Sequence, residues 1–249
     1  QRFIQGQPDF NRIWGSKHEP AHPIMQQVLD EMRTRGVFFS VDVHNNTGKN
    51  PHYACVNRID DRFLYLASLF SPSVVYFLKP EGVQSLAFAE LCPAVTVECG
   101  LSGEASGTAH VIEFLRACLA IDAFPTKPLD LSTLGVYHTV AVAKIPGQYS
   151  LGIDDPSCDI SLDGHVEQYN FAHLQAGASI GSVKEGITRP LSVMSEDGRD
   201  VSDLFVAVEA GRIVLRKALI PAMFTLDVTT IKKDCLCYFM EEYPLGGKL

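Results

Sequence analysis

The sequence predicts an α/β fold, a layered domain with a mostly parallel or mixed sheet, followed by a smaller all-β domain. Three observations predict it. Up to residue 121, short apolar β-type runs alternate with helical runs, the spacing of a sheet covered on both faces. The segment 122–131 (DAFPTKPLDL) holds two prolines and no periodicity, and reads as a linker. Beyond it the runs are β-type and are punctuated by Gly, Asp and Pro. The expected division is therefore an α/β domain over 1–121, a linker over 122–131 and a β-rich domain over 132–249.

The elements follow in order. Residues 24–35 (IMQQVLDEMRTR) place Ile24, Val28 and Met32 on one helical face with Met25 and Leu29 beside them, and Gly36 stops the helix. VFFSVDV (37–43) reads as a buried strand, 61–70 as a helix, 74–78 as a strand, 84–91 as a short helix and 94–98 as another strand. A long helix over 105–121 puts Val111, Leu115, Cys118 and Leu119 on its apolar side. After the linker, VYHTVAVA, CDISLDGHV, ASIGSVK, DLFVAVEAGRIVL and MFTLDVTTI read as strands, with Ala210-Gly211 as a tight hairpin turn.

Composition narrows the function. Apolar residues make up 46% of 249, enough for a sizeable core. The formal charge is −8 and Lys and Arg form no cluster, which argues against nucleic acid and anionic membrane as partners. No run approaches the roughly 20 apolar residues of a membrane span. The seven cysteines are odd in number and several lie in apolar runs, as suits reduced thiols in a cytoplasmic protein better than a disulfide framework. Cys235 and Cys237 form the only close pair and read as strand residues.

The chemistry gathers at two strand ends. His44 follows the run 37–43, and Glu98 closes the apolar run AVTV. Ligands of open α/β sheets bind beyond the carboxyl ends of strands. A neutral imidazole is a good zinc ligand, and Asp42, two residues back on the same side, can accept its second N–H. A carboxylate ending an apolar strand is costly unless paired, protonated or functional. Glu98 then reads as a general base for a metal-activated water, or alternatively as a salt-bridged strand end. Asn11 and Arg12 follow Asp9 in a loop, where an Arg fork and an Asn donor suit a carboxylate; a solvated arginine or a helix cap is the plainer alternative. A loop histidine without a role is the corresponding alternative for His44. The other histidines, among them His138 and His165 in expected strands, show no partner pattern.

Together, Arg2-Phe3-Ile4, Asp9-Phe10-Asn11-Arg12, Asp42-Val43-His44-Asn45-Asn46-Thr47 and Val97-Glu98-Cys99-Gly100 resemble, in order, the motifs of the succinylglutamate desuccinylase/aspartoacylase family of zinc carboxypeptidase-like enzymes. The resemblance implies a carboxypeptidase-like α/β/α domain and a zinc-dependent hydrolase cleaving the amide bond of an N-acyl amino acid or similar small carboxylate. It implies that His44 is a zinc ligand, that Glu98 is the general base, and that Arg2, Asn11 and Arg12 bind substrate. A metallocarboxypeptidase acting on peptides and a non-catalytic carboxylate-binding relative are the alternatives. The family's other two zinc ligands come from a His-x-x-Glu motif preceding Asp-x-Asn-Arg, and this sequence has none. The expectation is that they lie upstream of Gln1, and that residues 1–249 bind zinc poorly without them. Homo-oligomerisation stays open.

Overall fold

The computed structural model describes residues 6–16 and 18–245. Arg2, one of the expected substrate ligands, lies outside the described residues.

Helix α1 (Pro23–Arg35) opens on a proline at its first turn, with His22 Nδ1 accepting from the Ile24 N–H, and ends at Gly36. Its buried residues are Met25 and Leu29, whereas Ile24 is 56% exposed, so the helix is rotated from the face expected. Strand β1 (Ser40–Asn46) runs three residues beyond the predicted strand and starts three later. Its bounds come from its partner: Ser40 sits opposite Ala94 and His44 opposite Glu98 in a parallel ladder. Hydropathy alone cannot show a polar strand end that stays in the ladder because its side chains bond to the neighbouring strand.

Strand β2 (Tyr53–Val56) was not evident from its four residues, which are all buried. Then come α2 (Asp61–Ser68), capped by the Asp60 side chain, β3 (Ser73–Tyr76), α3 (Gln84–Phe88), β4 (Ala94–Leu101) and α4 (Ala105–Leu119). The buried stripe of α4 is Gly107, Val111, Phe114 and Cys118; Leu119, expected on the apolar side, is 86% exposed. Past the linker lie β5 (Gly135–Lys144), β6 (Leu151–Ile153), β7 (Ile160–Leu162), β8 (Ser179–Val183) and β9 (Ser192–Ser195). They are followed by α5 (Ser202–Phe205), β10 (Val206–Glu209), β11 (Arg212–Leu215), β12 (Ile220–Ala222), α6 (Val228–Lys233) and β13 (Cys237–Glu242).

Three expectations fail here. Residues 203–205, the start of the run DLFVAVEAGRIVL, are the end of helix α5, not strand. MFTLDVTTI contributes no strand, and its end is helix α6, because Asp227 caps Thr229 and Thr230 and local capping overrides the β-branched run. His165 precedes a turn of 3₁₀ helix, and only His138 lies in a strand. The Ala210-Gly211 hairpin is present, with φ of 48° and 76°, the left-handed pair of a two-residue turn.

The strands make two sheets, and the fold is mixed α/β. The larger has eight strands in the order β1-β4-β2-β3-β5-β13-β12, with β9 also paired to β5. It is mixed: β1/β4, β2/β3 and β3/β5 are parallel, while β2/β4, β5/β13, β12/β13 and β5/β9 are antiparallel. The smaller sheet has five strands, β10-β11-β8-β7-β6. The larger sheet thus takes strands from both sides of 122–131. One core, with Leu64, Val74, Val95, Val97 and Phe114, lies beneath α2 and α4; a second, with Ile160, Ile180, Ile213 and Phe239, joins the two sheets.

Candidate active site

The parallel register of β1 and β4 sets His44 directly beside Glu98 at the carboxyl ends of the two strands. His44 Nδ1 is 3.7 Å from Glu98 Oε1. Glu98 is 8% exposed, so its carboxylate is held largely out of water. Asn46, itself buried, donates from Nδ2 to Glu98 Oε2 at 3.3 Å, which offsets part of the burial cost. The Cys99 thiol donates to the His44 carbonyl at 3.0 Å and ties the two strand ends together a second time.

The expected position of Asp42 is the one found. Its Oδ2 lies 3.0 Å from His44 Nε2, close enough for an ion pair, but off the axis of a hydrogen bond. The aligned partner of Nε2 is Asn11 Nδ2, at 3.3 Å. Asn11 is oriented by its other end, since Oδ1 accepts from the Gln84 backbone N–H at the start of α3, at 2.8 Å. With its proton on Nδ1, His44 accepts from Asn11 and turns an N–H toward Glu98. With its proton on Nε2, it faces Asp42 and presents a lone pair at Nδ1. The second tautomer is the one that suits a metal ligand.

The loop that carries Asn11 is built to reach this point. Asp9 accepts from the backbone N–H groups of Asn11 and Arg12, through Oδ1 and its carbonyl. Trp14 N–H donates to the Gly82 carbonyl, and a Cβ at Gly82 would stand 2.4 Å from the Arg12 carbonyl oxygen. Gly82 also has φ 77°, so only glycine admits this close approach. The Arg12 guanidinium curls onto its own loop, donating to the Asn11 carbonyl at 2.6 Å.

Sequence reasoning thus named residues that the fold brings together: Asn11, Asp42, His44 and Glu98. It treated His44 as the head of an exposed loop, but His44 is inside β1 and its side chain is 32% exposed. It missed Asn46, which was read as loop and is a buried partner of Glu98, because the ladder that holds it involves a strand 52 residues away. It also missed Tyr53, buried opposite Glu98 on the antiparallel β2. Burial, and then the Glu98 carboxylate, push the Tyr53 hydroxyl well above its usual pKa; burial, then Glu98 and Asp42, do the same to the Cys55 thiol.

A catalytic zinc takes about three protein ligands. Among the described residues, no group of three His, Cys, Asp or Glu side chains is placed to hold a metal ion. His44 offers one imidazole, so the described residues do not by themselves fit a catalytic zinc.

The mixed eight-stranded sheet with its helices, and the smaller second sheet, make an α/β fold of the carboxypeptidase-like kind. Solved structures that this chain is similar to include members of the succinylglutamate desuccinylase/aspartoacylase family, and the likeness, at low identity, is one of fold. Murine aminoacylase 3 matches with a TM-score of 0.54 at 12% identity, over 95% of this chain and 77% of that one. A succinylglutamate desuccinylase/aspartoacylase from Rhodobacter sphaeroides gives 0.52 at 15%, over 96% and 69%. The succinylglutamate desuccinylase from Chromobacterium violaceum gives 0.55 at 13%, over 97% and 69%. No protein-family model matches the sequence, and no curated protein matches it. Among the described residues no helix is long and apolar enough to cross a membrane.

Proposed function

We propose that this protein is a hydrolase of the amide bond of N-acyl amino acids or similar small carboxylates, and that it works in the cytoplasm. The observation that carries the reading is the buried Glu98 carboxylate, oriented by Asn46 and set beside His44 at the carboxyl ends of two parallel strands. A desolvated carboxylate with one oxygen held and the other facing an imidazole is suited to take a proton from water. In this reading Glu98 Oε1 accepts the proton as water adds to the acyl carbonyl, and returns it to the leaving amine nitrogen. Asn46 keeps the carboxylate turned toward the reacting water. Arg12 with Asn11 anchors the substrate carboxylate, and Arg2 serves near the scissile carbonyl.

Zinc dependence belongs to the proposal as a requirement on further residues. His44 would serve as one ligand, and the remaining ligands would have to come from outside the described residues. Elemental analysis of the purified protein tests that requirement independently of turnover. The central test is the hydrolysis of a panel of N-acyl amino acids against C-terminal-residue peptides. Release of free amino acid from the first and not the second supports the reading. Cleavage of peptides alone makes the protein a carboxypeptidase, and binding without cleavage of either makes it a carboxylate-binding relative.

A further inference from the structure

The loop 47–50, which leaves the site directly after Asn46, is tied to residues more than a hundred positions away. Asn170, buried, is the centre of this clamp. Its Nδ2 donates to the Lys49 carbonyl at 3.0 Å and to the Phe224 carbonyl at 2.9 Å, and its Oδ1 accepts from the Phe224 N–H at 2.8 Å. One side chain therefore ties the site loop and the 223–225 segment to each other. Two weaker ties run alongside. Met223 N–H donates to Asn50 Oδ1 at 3.0 Å, and the Thr225 hydroxyl donates to the Thr47 carbonyl at 3.2 Å. The backbones touch, since a Cβ at Gly48 would stand 2.0 Å from the Phe224 carbonyl oxygen.

The clamp also holds strained backbone. Phe171 and Met223 are non-glycine residues at φ 61° and 70°, a conformation that costs energy and persists where the surroundings over-determine it. Both meet Tyr53, the register partner of Glu98: the Phe171 ring lies 4.8 Å from the Tyr53 ring, and the Tyr53 hydroxyl points to Met223 Sδ at 3.1 Å. Met223 thus joins Tyr53 to the tied loop, since its own N–H bonds Asn50.

We infer that Asn170 is a positioning residue, through which the second half of the chain fixes the strand ends carrying His44, Asn46 and Glu98. The inference rests on the hydrolase reading of that site. The buried side chain makes three backbone hydrogen bonds, to Lys49 and Phe224 and to none of His44, Asn46 or Glu98, so its effect on chemistry passes through the loop.

The experiment combines hydrogen exchange with steady-state kinetics on the full chain, using Asn170→Ala and Asn170→Asp. The aspartate keeps the size and the acceptor but cannot donate to Lys49 and Phe224, and so covers the case in which alanine fails to fold. In both variants, exchange over 46–50 should rise about 10- to 100-fold, the effect of losing at least the two buried hydrogen bonds to the Lys49 and Phe224 carbonyls. Exchange in β7 and β8 should stay as in the wild type. With an N-acyl amino acid that the wild type hydrolyses, kcat should fall about ten-fold or more while KM changes less than about three-fold, as expected for lost geometry rather than lost binding. Unchanged exchange over 46–50, a rise spread evenly over both halves, or unaltered kcat in a loosened loop would each overturn the inference. A wild-type protein that hydrolyses no N-acyl amino acid would sink the hydrolase reading instead, and the exchange results would still decide whether Asn170 holds the loop.

Discussion

Two of the histidine–glutamate pairs among the described residues, His44–Glu98 and His138–Glu196, lie on or beside the larger sheet and differ in how they are held. His44 Nδ1 and Glu98 Oε1 are 3.7 Å apart; His138 Nε2 and Glu196 Oε2 are closer, at 3.3 Å. The closer pair is poorly served. His138 Nε2 and Glu196 Oε1 are buried and make no aligned hydrogen bond, and the His138 ring lies 5.0 Å from Tyr76, with Tyr243 beyond it. The wider pair has Asn46 on its carboxylate, Asn11 on its imidazole and Asp42 alongside. Position separates them too: Glu98 faces the first residue of β2, while His138 aligns with Tyr76, and Tyr76 with the last residue of β2. On the proposed reading, what sets the His44–Glu98 pair apart is the set of groups that orient it, and the strand end on which it sits, not the separation of the two charges.

That contrast is open to direct attack. The largest effect should come from Glu98→Gln, which keeps size and the Asn46 contact but cannot take a proton; turnover of an N-acyl amino acid should fall roughly 10²–10⁴-fold. Glu196→Gln should leave turnover at the wild-type level, and equal losses in a steady-state assay would erase the distinction.

Next in size is a stability difference between the surroundings of the two pairs. Gly48→Ala, behind His44, drives a methyl to 2.0 Å from a backbone carbonyl, whereas Gly135→Ala, on the strand of His138, meets the hydroxyl end of Tyr137 at 2.9 Å. A backbone cannot step aside as a side-chain tip can, so Gly48→Ala should cost about 1–3 kcal/mol of unfolding free energy and Gly135→Ala clearly less. Urea unfolding of both variants reads the order, and a reversed order would show that the loop behind His44 is the softer of the two.

The smallest effect concerns a third histidine pair. The His52 and His110 rings lie 4.5 Å apart, and burial, then the charge of His110, lower the His52 pKa from 6.5, with Glu104 and a hydrogen bond to Cys99 opposing. The unfolded chain then takes up the proton more readily than the native one. This contribution to stability is fully present above pH 6.5 and is lost as pH falls below that value toward the folded pKa. Melting temperature should decline over that window, and His52→Gln should flatten the decline; an unaltered profile would assign the acid sensitivity to other groups.

Much of the site was legible because its residues sit in short motifs whose order along the chain matches their order in space. Asp42 and His44 share a face by strand alternation, and Glu98 stands out as a carboxylate closing an apolar run. What stayed hidden depends on pairing across distance. Asn46 looked like loop because nothing local says that β1 continues beside β4 as far as Glu98 and Leu101. Helix α6 looked like strand because β-branched Val228, Thr229 and Thr230 outweighed one Asp227 cap. The exposure of Ile24 and Leu119 reflects the same limit, since a helical period gives the stripe but not the rotation that tertiary contact selects. The sheet order was out of reach for the same reason: β5, beyond the proline-bearing segment, joins β3 rather than starting a sheet of its own.

That order also governs how the molecule must be born. Strand β5 lies between β3 and β13, and β13 lies between β5 and β12, so the large sheet closes only when residue 242 has left the ribosome. Until then β12 has no partner on its β13 side, and β5 keeps an unfilled edge between strands that are already made. Exposed edges of this kind recruit other strands, and pairings this distant in sequence form slowly. A pause in translation ahead of Cys237 would therefore leave a nascent chain with the His44–Glu98 strands already paired and its largest sheet still open to aggregation, the stage at which a chaperone would matter most to this protein.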